Sequence, residues 1–215
     1  MSDPFIQGLV DDMSEVKPLA NKKLYGITLA LLVLGSFLVL SLLGLRTDFF
    51  EFIKTLPAVF KNGTFFMLFA WAAWLTLKLS RPSTHIGVKH FVPALLVPAG
   101  LAITAFAEPS KFSIAAFEGK ILGMTSMGFH CSTTLMIGGL ITFGFLWNAW
   151  LKHTASSQPA LLGMAAGVAS GSLTAFAYAF HCSSDYALYV SVYYGIPIIM
   201  LALIGGLLGR RKLAW

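Results

Sequence analysis

Charged side chains are scarce in this sequence, and that scarcity limits the class of protein. Of its 215 residues, 11% are charged and 57% are hydrophobic. A water-soluble domain has about 25% charged and roughly 45–50% apolar residues. A soluble chain of this length would need far more polar surface to cover its core. The composition therefore excludes an ordinary soluble domain and predicts an integral membrane protein.

Several kinds of functional motif are also missing. The chain has two cysteines and no Cys-x-x-Cys pair, which argues against a membrane thiol-disulfide oxidoreductase. The apolar stretches carry almost no ionisable residues in their middle, which argues against a metal transporter. No nucleophile–base pairing or phosphate loop is visible, so we expect no enzyme. The net charge of +6 comes from basic residues at the ends of apolar runs, and we expect no direct contact with nucleic acid.

The long apolar stretches predict an all-α fold with six transmembrane helices. A helix needs about 20 mostly apolar residues to cross the ~30 Å hydrocarbon layer. Six stretches of this kind occur, at residues 25–45, 63–79, 90–107, 125–146, 158–180 and 186–208. Residues 109–123 predict a short helix on the membrane surface. The chain thus divides into an N-terminal tail, residues 1–24, and a transmembrane domain, residues 25–215.

The positions of lysine and arginine predict the orientation of these helices. Ten of the 15 basic residues lie in the termini and connections on one side, and five lie on the other. Cytoplasmic connections carry the excess of Lys and Arg, so both termini should be cytoplasmic. The five residues of the opposite side are Arg46, Lys54, Lys61, Lys111 and Lys120.

Small residues recur in the fifth predicted span. Glycine occupies every fourth position at Gly163, Gly167 and Gly171. Helices in lipid associate where small residues let their backbones approach closely. The pattern predicts close helix packing, either within the fold or between two copies of the chain.

The N-terminal tail predicts a short acidic amphipathic helix. It begins with an Asp3-Pro4 start signal and ends before Pro18. Membrane-surface helices usually carry basic residues on the polar face, whereas this one carries acids. Its apolar and acidic side chains are therefore candidates for binding a basic protein partner, although a simple leader before the first span is the alternative. The candidate residues are Phe5, Ile6, Leu9, Val10, Asp11, Asp12, Met13 and Glu15.

Both cysteines lie in the same short string. Residues 129–132 and residues 180–183 each read Phe-His-Cys-Ser. The fourth and fifth spans form an antiparallel hairpin, and at 1.5 Å per residue Cys131 and Cys182 should reach similar heights on the outer side. Cys182 should lie at the end of its span, and Cys131 somewhat deeper.

Three interpretations of the cysteine pair are open. It could be a structural disulfide, which an oxidising compartment permits, or a pair of small thiols packed in the core. It could also be a reactive dithiol that senses oxidants or soft metals. Two Cys and two His suit a zinc, copper(I) or cadmium ion, although adjacent residues of a helix point about 100° apart. This candidate metal set is His130, Cys131, His181 and Cys182.

The C-terminal part of the sequence resembles a known family. From His181 it reads His-Cys-Ser-Ser-Asp-Tyr-Ala-Leu-Tyr, residues 193–196 read Tyr-Tyr-Gly-Ile, and the chain ends Lys-Leu-Ala-Trp. These strings, the short N-terminal helix and the two outer cysteines resemble the negative regulator of sigma-F family. Those proteins are six-span anti-sigma factors of the bacterial inner membrane.

The resemblance implies a specific function. The chain would hold an extracytoplasmic-function sigma factor inactive at the membrane. A periplasmic redox or heavy-metal signal would then release it. Cys131 and Cys182 match the two cysteines of the family and would read that signal.

Overall fold

The structure is a computed structural model that describes residues 43–82, 84–87, 90, 125–185 and 187–213, with a few single positions between 26 and 41. All regular secondary structure of the described residues is helical, as the composition predicts. The helices are α1 (Phe49–Phe52), α2 (Leu56–Leu79), α3 (Thr125–Ala149), a 3-10 turn (Leu151–His153), α4 (Pro159–Ala179) and α5 (Ala187–Lys212).

Four of these helices are long and apolar enough to cross a membrane. The qualifying segments are Ala58–Leu79, Gly128–His153, Pro159–Ala179 and Tyr189–Lys212, and they correspond to the second, fourth, fifth and sixth predicted spans. The described residues thus contain four such helices where the sequence predicts six. Most of the first and third predicted spans lie outside the described residues, as do the surface helix and the N-terminal tail with its candidate partner-binding residues.

Helix α2 begins seven residues before the predicted start at residue 63. Thr55 adopts an extended conformation ahead of it, and Pro57 lies in its first turn, where a missing N–H costs nothing. The prediction started too late because Lys61 interrupts the apolar run. Lys61 instead lies inside the helix and is only 5% exposed.

Helix α4 is the centre of the bundle and packs against α2, α3 and α5. Most of its residues are buried, and many of them are Ala, Gly or Ser. A Cβ atom on Gly163 would collide with the backbone carbonyl of Gly205 in α5, and one on Gly167 would collide with that of Leu201. The glycines at every fourth position therefore work within the fold, where they let α4 and α5 meet backbone to backbone.

The buried side chains of the described residues form three clusters, and two of them contain residues from the ends of the helices. One, the C-terminal cluster, contains Leu79, Trp150, Leu162 and Leu213. The other, the cysteine cluster, contains both cysteines with Tyr178, Tyr189 and Tyr194. The antiparallel arrangement of α3, α4 and α5 thus brings side chains far apart in sequence to one end of the bundle.

Candidate functional site: a buried cysteine pair

The two cysteines meet at one end of the bundle. Cys131 lies in the second turn of α3, and Cys182 follows the end of α4 by three residues. Their Sγ atoms are 3.8 Å apart, and their exposed fractions are 1% and 5%. Both are free thiols, because a disulfide would require a separation of about 2.05 Å. The prediction that the two cysteines reach similar heights in the bundle is confirmed.

Two phenol groups contact the Cys131 thiol. The Tyr178 hydroxyl of α4 lies 3.3 Å from the sulfur, and the Tyr189 hydroxyl of α5 lies 3.1 Å from it. Thiols and phenols both donate and accept hydrogen bonds. The Cys131 sulfur therefore joins α3 to the two neighbouring helices and to Cys182.

A buried lysine holds the backbone around Cys182. The Lys61 ammonium of α2 donates to the carbonyl of Cys182 at 3.1 Å and to that of Ser184 at 2.8 Å. It also lies 3.2 Å from an Asp185 carboxylate oxygen. An ammonium has three N–H donors, and these three acceptors use all of them. Lys61 thereby fixes the segment that carries the second thiol.

Arg46 binds the same segment from another side. Its guanidinium lies 3.1 Å from an Asp185 oxygen and 2.6 Å from Asp48, and its Cζ atom lies 3.8 Å from the centre of the Phe52 ring. It also donates to the carbonyl of Cys182 at 3.4 Å. Two cations and two carboxylates therefore balance each other beside the cysteine pair, and we call these four residues, Arg46, Asp48, Lys61 and Asp185, the charge cluster.

The chain just before Arg46 is fastened to the end of α4. The Arg46 backbone N–H donates to the carbonyl of Phe180 at 3.2 Å, and His181 Nδ1 lies 3.0 Å from the carbonyl of Gly44. Gly44 has a φ of +78°, a left-handed conformation that glycine adopts without strain. The C-terminal end of the first predicted span thus contacts the residues next to Cys182.

The surroundings of Cys182 favour its ionised form. The hydrogen bond from Cys131 lowers the pKa of the Cys182 thiol most, and burial opposes this effect. The Lys61 charge and the Tyr194 hydroxyl lower the pKa further. The net shift is downward, so Cys182 carries a larger fraction of thiolate than an ordinary cysteine. The thiolate is the reactive form of cysteine.

The two histidines do not join the cysteines in a metal site. His130 is exposed while Cys131 is buried, because adjacent residues of a helix point about 100° apart. His181 contacts the carbonyl of Gly44. All four candidate ligands belong to the described residues, and among these no group of three or more His, Cys, Asp or Glu side chains could hold a metal ion. The structure therefore does not support the predicted four-ligand set.

Sequence reasoning found the thiols and missed their neighbours. Lys61 is predicted to lie in an outer connection and Tyr178 belongs to no motif. Tyr189 and Tyr194 appear only within the strings that resemble the family, with no role predicted for either. Asp185 likewise appears only within the string that begins at His181. The available signal was the apolar sequence that follows Lys61, since a lysine within a long helix needs a partner when buried.

These features define a class of protein whose described part has only helices as regular structure, four of them of membrane length, with a buried dithiol at one end. The comparisons with known sequences identify its family. A model of the family described as Negative regulator of sigma F matches residues 9–215. The chain therefore belongs to this family, as the resemblance indicates. Its role is accordingly regulatory and not enzymatic, and proteins of this kind act by binding a sigma factor.

Two relatives are described as anti-sigma-F factors, one of them as a probable one. The chain is 28% identical over 182 residues to the "Probable anti-sigma-F factor NrsF" of Azospira oryzae. The matched region covers 84% of this chain and 83% of the relative. It is 34% identical over 86 residues to the "Anti-sigma-F factor NrsF" of Caulobacter vibrioides, covering 40% and 39% of the two chains. No solved structure matches this chain.

Proposed function

We propose that this protein is a membrane-embedded anti-sigma factor whose cysteine pair senses oxidants. It would sequester an extracytoplasmic-function sigma factor on the cytoplasmic side and release it when Cys131 and Cys182 are oxidised. The observation that carries the redox part is the 3.8 Å separation of two free, buried sulfur atoms. Closing a disulfide would require the sulfurs to approach by about 1.8 Å.

The proposed topology has six spans in the bacterial inner membrane. The four long apolar helices account for four of them, and the apolar residues 25–45 and 90–107 supply the other two. The ten-to-five distribution of basic residues supports a cytoplasmic position for both termini. Cys131 and Cys182 then lie towards the periplasm, an oxidising compartment where thiol oxidation persists.

An oxidant signal is favoured over a metal signal because too few metal-binding side chains come together at the cysteine pair. Zinc sites in proteins use four ligands, whereas only the two cysteines come together here. The hydroxyls around Cys131 belong to Tyr178 and Tyr189, which are not among the usual ligands of soft metals. The cysteine pair is therefore better suited to forming a bond between its sulfur atoms.

The connection to the cytoplasm would run through the first predicted span. Its outer end, at Gly44 and Arg46, is hydrogen-bonded to Phe180 and His181 beside Cys182. Its inner end leads directly to the acidic N-terminal tail. A ligand or modification shifts a two-state protein only if it favours one state. Movement of Cys182 on oxidation would provide that preference and change how the tail is presented.

We expect the N-terminal tail to be the main contact with the sigma factor. The detergent-solubilised full chain, purified from its host, should bring a sigma factor with it, and deletion of residues 1–18 should abolish this association. Reversing the charges of Asp11, Asp12 and Glu15 should weaken it strongly. The matched control replaces Gln7 and Ser14 by Ala and should bind normally. Full recovery of the sigma factor by the truncated chain would show that the tail is not the binding element.

We expect replacement of both Cys131 and Cys182 by Ser to fix the regulator in one output. The measurement is transcription of sigma-dependent genes before and after an oxidant pulse in cells carrying this variant. Serine keeps a hydrogen-bonding group of similar size but cannot form a disulfide, so induction should disappear while co-purification of the sigma factor persists. An unchanged response would refute thiol sensing and leave sigma-factor binding intact.

A further inference from the structure

We propose that Lys61 is a positioning residue for oxidation of the cysteine pair, so that Cys182 is the attacking sulfur and Cys131 the resolving one. The inference rests on the proposed redox function and adds the order of events and the residue that sets it. It concerns the chemistry of the isolated protein, which is measured independently of the sigma factor.

The first argument is the unusual position of Lys61. A buried ammonium costs several kcal/mol of solvation, which its partners must offset. Lys61 is 5% exposed, and two of its three acceptors are the backbone carbonyls of Cys182 and Ser184. The side chain therefore holds the backbone on both sides of Ser183, with its charge beside Cys182.

The second argument is the difference between the two thiols. Cys131 contacts the neutral hydroxyls of Tyr178 and Tyr189. Cys182 lies by the cationic Lys61, and its pKa is lowered by the Cys131 hydrogen bond and then by that charge. Either sulfur can donate the hydrogen bond between them, and the Lys61 charge favours the arrangement in which Cys131 donates to a Cys182 thiolate. The asymmetry makes Cys182 the thiolate and leaves Cys131 as the neutral partner.

The third argument is a spare hydrogen-bond donor. The Tyr194 ring lies 5.6 Å from the Lys61 ammonium, and Tyr194 is completely buried in the cysteine cluster. Its hydroxyl has no hydrogen-bond partner at close distance among the described residues, but it lies near enough to the Cys182 sulfur to lower the pKa of that thiol. A buried donor of this kind calls for an explanation. A charged sulfur on Cys182 would use it.

The reaction uses a hydroperoxide as the oxidant. The Cys182 thiolate attacks one peroxide oxygen, an S–O bond forms, and the O–O bond breaks. The product is a sulfenic acid, and the leaving alkoxide or hydroxide takes up a proton from water. The Cys131 sulfur, 3.8 Å away, then attacks the Cys182 sulfur; an S–S bond forms, and the hydroxyl leaves with the Cys131 proton as water.

Single-cysteine variants test the order of reaction. Cys131→Ser and Cys182→Ser chains in detergent are treated with hydrogen peroxide for timed intervals and quenched with catalase. They are then unfolded with dimedone and an alkylating reagent, and sulfenic acid is quantified by mass spectrometry. We expect the Cys131→Ser chain, which keeps Cys182, to react about tenfold faster, because one unit of pKa changes the thiolate fraction by this factor. Faster reaction of Cys131 would overturn the proposal and assign activation to the two phenols.

Variants at Lys61 test its role. In the Cys131→Ser background, Lys61→Met should slow oxidation of Cys182 about tenfold, the result of raising its pKa by about one unit. Lys61→Arg should recover most of the rate because it keeps the charge. Lys54, exposed in the same part of the chain, supplies the control, and Lys54→Met should react normally. Equal rates for Lys61→Met and Lys54→Met would overturn the proposal.

A second variant separates this role from a loss of folding. Lys61→Met leaves Asp185 facing one cation fewer, so Lys61→Met with Asp185→Asn removes both charges together. We expect this double variant to unfold near the temperature of the native chain and to show the same tenfold slower oxidation. A folded double variant with the native rate would contradict the proposal. The sigma-factor experiments remain interpretable in either case.

Discussion

Replacing Gly205 by Leu should prevent α4 and α5 from packing and destabilise the bundle by about 4 kcal/mol or more, among the largest effects of single substitutions. A Cβ at Gly205 would collide with the backbone carbonyl of Gly163. The contacting atoms are backbone on both sides, so no side chain can rotate away. The helices must separate, and the loss extends to the neighbouring contacts at Gly167 and Gly209. The measurement is the thermal unfolding midpoint in detergent, with a fall of about 10 °C expected.

The same substitution at Gly195 is the matched control. Gly195 lies in the same helix, and a Cβ there would meet no atom within 4 Å. The Gly195→Leu chain should therefore unfold near the native midpoint, and it gains helix propensity. A Gly205→Leu chain that keeps its midpoint but loses a dimer would show that the glycines act between two copies. That outcome would contradict the packing described within the fold.

The relative height of the two cysteines in the bundle could be predicted because it depends only on the number of residues along each helix. Helix rise is constant, so the number of residues between Cys131 and the turn after α3 determines its height relative to Cys182. The spacing of Gly163, Gly167 and Gly171 similarly predicts a face of close approach. Neither argument needs knowledge of the neighbouring side chains, and both predictions are confirmed.

The surroundings of the thiols could not be predicted in the same way. Lys61 and Cys182, whose carbonyl the lysine contacts, are 121 positions apart in the sequence. A contact between residues so far apart cannot be predicted from the pattern of residues around either one. Without knowledge of its partners, Lys61 indicates the end of an apolar run, and the sequence therefore predicts that the second span begins after it. The structure does not support the predicted metal set for a related reason, since His130 is exposed while Cys131 is buried. The helix turns those two side chains in different directions.

The Asp185→Asn substitution should destabilise the protein by about 3 kcal/mol, since removing one partner of a buried ion pair typically costs about 3–5 kcal/mol. The Lys61 and Arg46 side chains are only 4% and 6% exposed, and both contact this carboxylate. Asparagine has the same shape, so packing is kept while the negative charge is lost. We place the effect at the lower end of the range because Asp185 is 26% exposed and Arg46 keeps Asp48. The measurement is again the unfolding midpoint in detergent.

Asp48→Asn is the control for the Asp185 experiment, because it removes a carboxylate from the same arginine. Asp48 is 49% exposed, and water and salt screen an exposed ion pair, so the midpoint should hardly change. Combining Asp185→Asn with Lys61→Met should return the midpoint close to that of the native chain, since the unpaired buried cation is then gone. Equal losses for Asp48→Asn and Asp185→Asn would mean that Arg46 alone organises this end of the protein. A larger loss at Asp185, relieved by the second substitution, would assign that role to Lys61 and connect the stability of the bundle to the segment that carries Cys182.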